Sequence, residues 1–129
     1  VTIEDYAKKS FKGWIKKDRS ADFMTMTYEC TKEFIDKCPA SVHVDKTARP
    51  QIIRKNTNPK FYRILKKYLK KTGELAIINT SFNRHEEPIV QDITDALSVL
   101  DSNIIKTLVF ENYSIKKKKS LNPPERVKW

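Results

Sequence analysis

The order of apolar and polar positions divides the chain into a few periodic stretches. Ile3, Tyr6, Ala7, Phe11, Trp14 and Ile15 recur at helical spacing, with Lys8, Lys9, Lys12, Lys16 and Lys17 largely on the other side. With Thr2 and Asp5 placed as in a capping box, this spacing predicts an amphipathic helix over residues 3–17 packed on a larger core. From Phe23 to Glu29, Met24, Met26 and Tyr28 alternate with Thr25, Thr27 and Glu29, which is strand spacing. Thr31 to Lys37 fits a helix or a loop and is closed by Pro39. Ser41 to Asp45 predicts a short strand with Val42 and Val44 on one face and His43 and Asp45 on the other. Thr47 to Pro50 reads as a turn and Gln51 to Arg54 as a second short strand.

The clearest helix has Asn58 as its cap, Pro59 in its first turn and Gly73 at its end. Phe61, Ile64, Leu65, Tyr68 and Leu69 form its predicted stripe among six lysines and arginines. Leu75 to Ile78 then predicts a strand buried on both faces, which opens into the polar run Asn79, Thr80, Ser81 and Asn83. Asp92 and Asp95 mark the start of another helix, with Ile93, Ala96, Leu97 and Leu100 as its buried face. Thr107 to Phe110 reads as a buried strand. Helices between apolar strands predict an α/β fold, and such sheets bind ligands beyond the carboxyl ends of their strands.

Composition narrows the picture. At 129 residues the chain is one domain by length, and no apolar run approaches membrane-spanning length. The start at Val1, without Met and already helical in pattern, suggests a piece of a longer protein; the expected surroundings are cytoplasmic, with no membrane partner. Cys30 and Cys38 are too few for a disulfide framework and too widely spaced for a redox pair. The net charge is +10, of which +5 lies between Ser114 and Trp129. Residues 1–115 therefore read as the folded domain and 116–129 as a flexible basic tail.

Few residues suggest chemistry. Arg49 keeps its charge and can hold a phosphate through two parallel hydrogen bonds, Thr80 and Ser81 can donate hydroxyls to the same anion, and Asn79 and Asn83 can orient an amide or fix the loop. The competing reading is that these Asn and Ser residues only form an Asx-type turn and that Arg49 is an ordinary surface residue. His43 and Asp45 would share a strand face, but they lack an evident third metal ligand unless His85 supplies it, so no metal site is assigned. No Walker motif, dinucleotide fingerprint or nucleophile elbow is present. The lysine-rich helix faces read as solvated, and nucleic acid is not an expected partner.

Two segments carry a resemblance. Pro39-Ala40-Ser41-Val42-His43-Val44-Asp45-Lys46-Thr47-Ala48-Arg49-Pro50-Gln51 resembles the "PAVVHVDGTARPQ" stretch near the carboxyl end of the NodU/CmcH type of O-carbamoyltransferases. Ile77-Ile78-Asn79-Thr80-Ser81-Phe82-Asn83 and Glu87-Pro88-Ile89-Val90 resemble their "LLNTSFN…GEPIV", in the same order and through a similar intervening helix. The resemblance runs from about Ala21 to Ile115.

It implies the later part of a YrdC-like domain, a partial twisted sheet with flanking helices. The parent enzyme would use ATP and carbamoyl phosphate as substrates to form carbamoyl adenylate, and would then pass the carbamoyl group to a hydroxyl of a small-molecule acceptor. An amino-terminal actin-like domain would be the partner, and any metal would belong to it. By the same resemblance Arg49 holds an adenylate or triphosphate oxygen, Ser81 bonds the phosphate or carbamoyl group, and Asn79, Thr80 and Asn83 shape the loop. Lys46 and Glu86 stand where the family usually has Gly, so both positions are candidates for positive φ. The family's Arg-rich "EFGPRALGNRS" segment is absent, so the chain alone is expected to bind nucleotide weakly and to lack transferase activity. The alternative is a YrdC-like RNA-binding module without catalysis.

Overall fold

The structure is a computed structural model that describes residues 1–110 and 112–116. It divides into two compact units, Val1–Asn79 and a second that begins at Thr80.

The first unit is built around a parallel pair, β1 (Thr2–Ile3) and β4 (Ile52–Ile53), in the register Thr2 to Ile52 and Ile3 to Ile53. Successive strand residues face opposite ways, so this short ladder feeds two cores. Ile52 packs with Phe11, Trp14, Cys30, Phe34 and Leu75, whereas Ile3 and Ile53 pack with Tyr62, Leu65 and Leu69. The first core is bounded by α1 (Glu4–Ser10), α2 (Lys32–Lys37) and the antiparallel pair β2 (Tyr28–Glu29) and β3 (Thr47–Ala48); the second lies under α3 (Pro59–Thr72). Cys30 and Cys38 are buried free thiols, and burial pushes the Cys30 thiol up to about 11.

The helix expected over 3–17 is shorter. Thr2 is a strand residue whose Oγ1 donates to the Leu75 carbonyl at 2.5 Å, and the cap position, Ile3, makes no side-chain bond. At Phe11 the chain becomes extended and bridges Cys30, Lys12 N–H donates to the Glu29 carbonyl at 2.9 Å, and Gly13 takes a φ of +72°. Tertiary pairing therefore ends the helix before its apolar pattern does.

The strand expected over 23–29 reduces to Tyr28–Glu29, because Ser20–Phe23 is a 3-10 helix and Met24 is left-handed. Polar side chains explain the change. Asp18 Oδ1 accepts from Ser20 N–H at 2.9 Å and Ser20 Oγ at 2.6 Å, and Asp18 Oδ2 accepts the Tyr28 hydroxyl, which holds the start of the 3-10 helix against Tyr28.

Ser41 to Asp45 is likewise no strand: a 3-10 helix covers Pro39–Ser41 and a turn follows. His43 N–H donates to the Thr47 carbonyl at 2.8 Å and Lys46 N–H to the His43 carbonyl at 2.9 Å, with Lys46 at a φ of +64°. Thr47 and Ala48, expected in a turn, instead form β3.

The capping of α3 is as expected: Asn58 accepts from Phe61 N–H, and Gly73 closes the helix at a φ of +79°. Its buried stripe is rotated to Tyr62, Leu65 and Leu69, leaving Ile64 and Tyr68 exposed. The rotation follows from Asp5, whose Oδ2 accepts the Tyr62 hydroxyl at 2.8 Å and Lys66 Nζ at 2.9 Å.

The expected strand at Leu75 to Ile78 is extended but joins no ladder. Only Leu75 is fully buried, Ile78 is 64% exposed, and Ile77 exchanges backbone hydrogen bonds with Val1 at 2.7 and 2.9 Å.

In the second unit Asp92 caps α4 (Ile93–Asp101), accepting Asp95 N–H at 2.9 Å. Ala96 and Leu100 pack against Leu108 of β5 (Thr107–Phe110), while Ile93 and Leu97, expected inside, are exposed. β5 pairs antiparallel with β6 (Tyr113–Lys116), and of its residues only Leu108 is buried, so it is not the buried strand expected. Three two-stranded ladders among four α-helices make a mixed α/β architecture, in which the described strands form no single continuous sheet. Of the expected basic tail, Lys116 closes β6 and the rest lies outside the described residues. Among the described residues no helix is long and apolar enough to cross a membrane.

Candidate functional site

Arg49 stands between two ladder residues on the segment that links β3 to β4, and both of its neighbours, Ala48 and Pro50, are buried. Its position is therefore fixed while its side chain is exposed, and among the described residues its guanidinium has no partner. An unpaired guanidinium on a held backbone is suited to an oxyanion. Arg49 also borders a cavity of about 40 Å³ with Thr2, Phe34, Ser41 and Ala76. That volume holds a water molecule rather than a phosphate, so a phosphate would meet Arg49 from the exposed side.

Two residues beyond Arg49, Gln51 joins the two motifs. Its backbone carbonyl accepts Thr2 N–H at 3.0 Å and its side-chain Oε1 accepts Asn79 Nδ2 at 3.0 Å. Asn79 Nδ2 also lies 3.8 Å from Met24 Sδ. Sequence reasoning singled out Asn79 but missed Gln51; the only available signal was its place at the end of the Arg49 motif.

His43 and Asp45 sit in the turn that precedes β3. Asp45 Oδ1 accepts Thr47 N–H at 3.0 Å and the Thr47 hydroxyl at 2.6 Å, and these bonds hold its carboxyl below the usual carboxylate range. The same hydroxyl lies 3.4 Å from His43 Nδ1. These contacts organise the turn, and among the described residues no group of three His, Cys, Asp or Glu is placed to hold a metal ion.

The other expected site residues belong to the second unit. Thr80 and Ser81 are exposed, and among the described residues neither hydroxyl has a hydrogen-bond partner, so both are available to a ligand. Asn83 has the loop-fixing role: Nδ2 donates to the Arg84 carbonyl at 2.8 Å and to the Glu87 carbonyl at 3.1 Å. Val90 N–H closes the loop onto the Phe82 carbonyl at 2.8 Å, Arg84 pairs with Glu87 at 2.9 Å, and Glu86 takes a φ of +66°. A hollow of about 310 Å³ beside the loop is lined by Asn83, Arg84, Glu87, Gln91 and Asp95 among others, but not by Thr80 or Ser81.

The carbamoyltransferase C-terminus family model matches residues 2–117. An uncharacterised protein of Methanocaldococcus jannaschii is 43% identical over 96 residues, which are 74% of this chain and 16% of that protein. The nodulation protein NolNO of Sinorhizobium fredii is 38% identical over 79 residues, 61% of this chain and 12% of its own length. The 3'-hydroxymethylcephem-O-carbamoyltransferase of Amycolatopsis lactamdurans is 31% identical over 70 residues, 54% of this chain and 14% of its own length. The chain thus spans less than a fifth of each of these relatives, and the match across nearly all of its described residues places it in the carbamoyltransferase C-terminus family.

Proposed function

We propose that the chain is the carboxyl-terminal portion of an O-carbamoyltransferase in which water cleaves carbamoyl phosphate to carbamate and phosphate, and a carbamate oxygen then attacks the α-phosphorus of ATP to give carbamoyl adenylate while pyrophosphate leaves. A hydroxyl oxygen of a small-molecule acceptor then attacks the carbamoyl carbon and gives up its proton to solvent, the bond from that carbon to the adenylate oxygen breaks, and AMP leaves. The observation that carries this reading is the exposed Arg49 guanidinium, which has no partner among the described residues and stands on a segment held by β3 and β4. Transfers of this kind ask the protein mainly to place charge around phosphate oxygens, and a fixed guanidinium supplies it. Arg49 holds a phosphate oxygen, Ser81 donates its hydroxyl to the phosphate or carbamoyl group, and Thr80 lies beside it. Asn79 and Asn83 shape the backbone on either side, a role their hydrogen bonds to Gln51 and to the Arg84 and Glu87 carbonyls support.

An actin-like amino-terminal domain, with any metal, belongs to the remainder of the polypeptide, and the whole enzyme works in the cytoplasm. The test is carbamoyl-phosphate-dependent release of AMP from ATP, with acceptor present, by the complete enzyme and by its Arg49→Gln and Ser81→Ala variants. The expected result is a fall of about thirtyfold or more for Arg49→Gln, in line with a lost charge-assisted phosphate contact, and a smaller fall for Ser81→Ala. Unchanged turnover in Arg49→Gln would sink the assignment. The 129-residue chain alone is expected to bind ATP weakly and to transfer nothing, and tight binding in a calorimetric titration would contradict that expectation.

A further inference from the structure

In the first unit a hollow of about 490 Å³ is lined by Glu4, Lys16, Arg19, Arg54, Lys55 and Asn56, and Arg49 is not among its walls. Three exposed cations therefore border one concavity. Lys16 is 81% exposed, with Nζ 3.9 Å from Glu4 Oε2, and Arg19 is half-exposed, with Nε 2.5 Å from Asp22 Oδ2. Among the described residues the Lys55 ammonium has no partner. The single carboxylate on the wall, Glu4, is mostly buried, and its Oε1 accepts Lys55 N–H at 3.0 Å.

The backbone under these cations is held in place by a buried residue. Arg54 is only 4% exposed; its Nε lies 2.9 Å from both Asp22 oxygens, Nη1 donates to the Lys16 carbonyl at 2.7 Å, and Nη2 donates to the Asp18 carbonyl at 2.5 Å. One buried guanidinium thus pins the chain on both sides of Lys17 and next to Arg19, while Lys55 follows it directly in sequence. The cations stand on prearranged backbone, so a ligand need order only their side chains. Arg19 meets Asp22 through Nε, and among the described residues its two Nη groups have no partner, so these are the donors it can offer to an outside anion.

We propose that this hollow binds a ligand carrying two or more adjacent phosphate groups. The three cations are drawn from two separate segments, 16–19 and 55, which suits a polyphosphate that spans them better than a single oxyanion. Because the cations are solvent-exposed, the binding is modest in strength and falls with added salt.

The probe is inorganic pyrophosphate, titrated calorimetrically into the 129-residue chain at low ionic strength, with orthophosphate in parallel. Pyrophosphate is expected to bind about tenfold tighter than orthophosphate, and the double variant Lys16→Gln/Lys55→Gln is expected to weaken it about tenfold, as for two screened charge contacts. The roughly tenfold loss caused by the two lysine changes is expected to be the same when Arg49→Gln is present in both chains compared, which separates this site from the one under Proposed function. Three outcomes would each overturn the inference: no pyrophosphate binding by the parent chain, unchanged affinity in the double lysine variant, or no loss from the lysine changes in the Arg49→Gln background. The substituted lysines are surface residues, and an unchanged circular dichroism spectrum confirms that the variants fold.

Discussion

Asn79 donates its side-chain amide to Gln51 Oε1 at 3.0 Å, and this bond links the segment carrying Arg49 to the segment that leads to Ser81. Removing either partner is expected to destabilise the first unit by about 0.5–1 kcal/mol, the usual net worth of a neutral hydrogen bond near the surface. A double-mutant cycle of Asn79→Ala and Gln51→Ala, followed by urea denaturation, checks this. Strictly additive losses would show that the two amides do not act together.

Asp22 and Arg54 form a buried anchor in the first unit, since both are about 5% exposed and the guanidinium also satisfies two carbonyls. Replacing Arg54 by Met leaves Asp22 with only the half-exposed Arg19 as partner and strips the Lys16 and Asp18 carbonyls of their donor, and is expected to cost about 2–3 kcal/mol. The Asp22→Leu/Arg54→Met pair is expected to cost less than the sum of the two single changes. Denaturant midpoints of the three variants decide it, and a neutral Arg54→Met would refute the anchor.

Lys46 and Glu86 hold φ values of +64° and +66°, in the left-handed region where a Cβ is unfavourable. Lys46→Gly and Glu86→Gly are each expected to stabilise by about 0.5–1 kcal/mol, because the relief at the turn outweighs the extra freedom glycine gives the unfolded chain. The measurement is the melting temperature of each variant against the parent.

Acid should loosen the first unit before it affects neutral-pH packing. The Asp18 carboxyl is held below the usual carboxylate range by Ser20 and then Tyr28, and the Asp45 carboxyl by Thr47. A depressed folded-state pKa gives stability that is present above the unfolded value, near 3.9, and is lost as pH falls through the folded value. Urea midpoints are therefore expected to hold down to about pH 5 and to fall below about pH 4. Asp45→Asn, which removes one such carboxylate, is expected to flatten part of that fall.

Legibility from sequence followed the range of the forces involved. Asn58, Pro59 and Gly73 act within one turn of their own positions, so the ends of α3 could be read directly. The same holds for Asp92 at α4, whereas the positive φ at Lys46 and Glu86 is expected only from the family resemblance, in which Gly stands at both positions. What failed depended on distant partners. The helix from residue 3 stops at Phe11 because Cys30 waits there to pair, and the strand at 23–29 is shortened behind a segment whose Ser20 N–H and Asp18 carbonyl are taken by the Asp18 and Arg54 side chains. The buried face of α3 is rotated toward Tyr62 by Asp5, which lies 57 residues away. At the candidate site, Arg49, Thr80 and Ser81, which are exposed and have no side-chain partner among the described residues, were nameable from their side-chain chemistry. Gln51 was not, since nothing in its local pattern announces Asn79.

The Arg54 anchor also bears on the order in which the chain folds. Residues 11–27 hold little regular structure of their own, and their carbonyls at Lys16 and Asp18 are met by a side chain more than thirty positions later. Closing that loop costs entropy before any contact repays it, so this segment cannot settle until β4 has docked beside β1. Residues 11–27 are thus expected to fold late and to open together, which amide hydrogen exchange would show as shared protection of the Lys12, Asp18 and Asp22 amides.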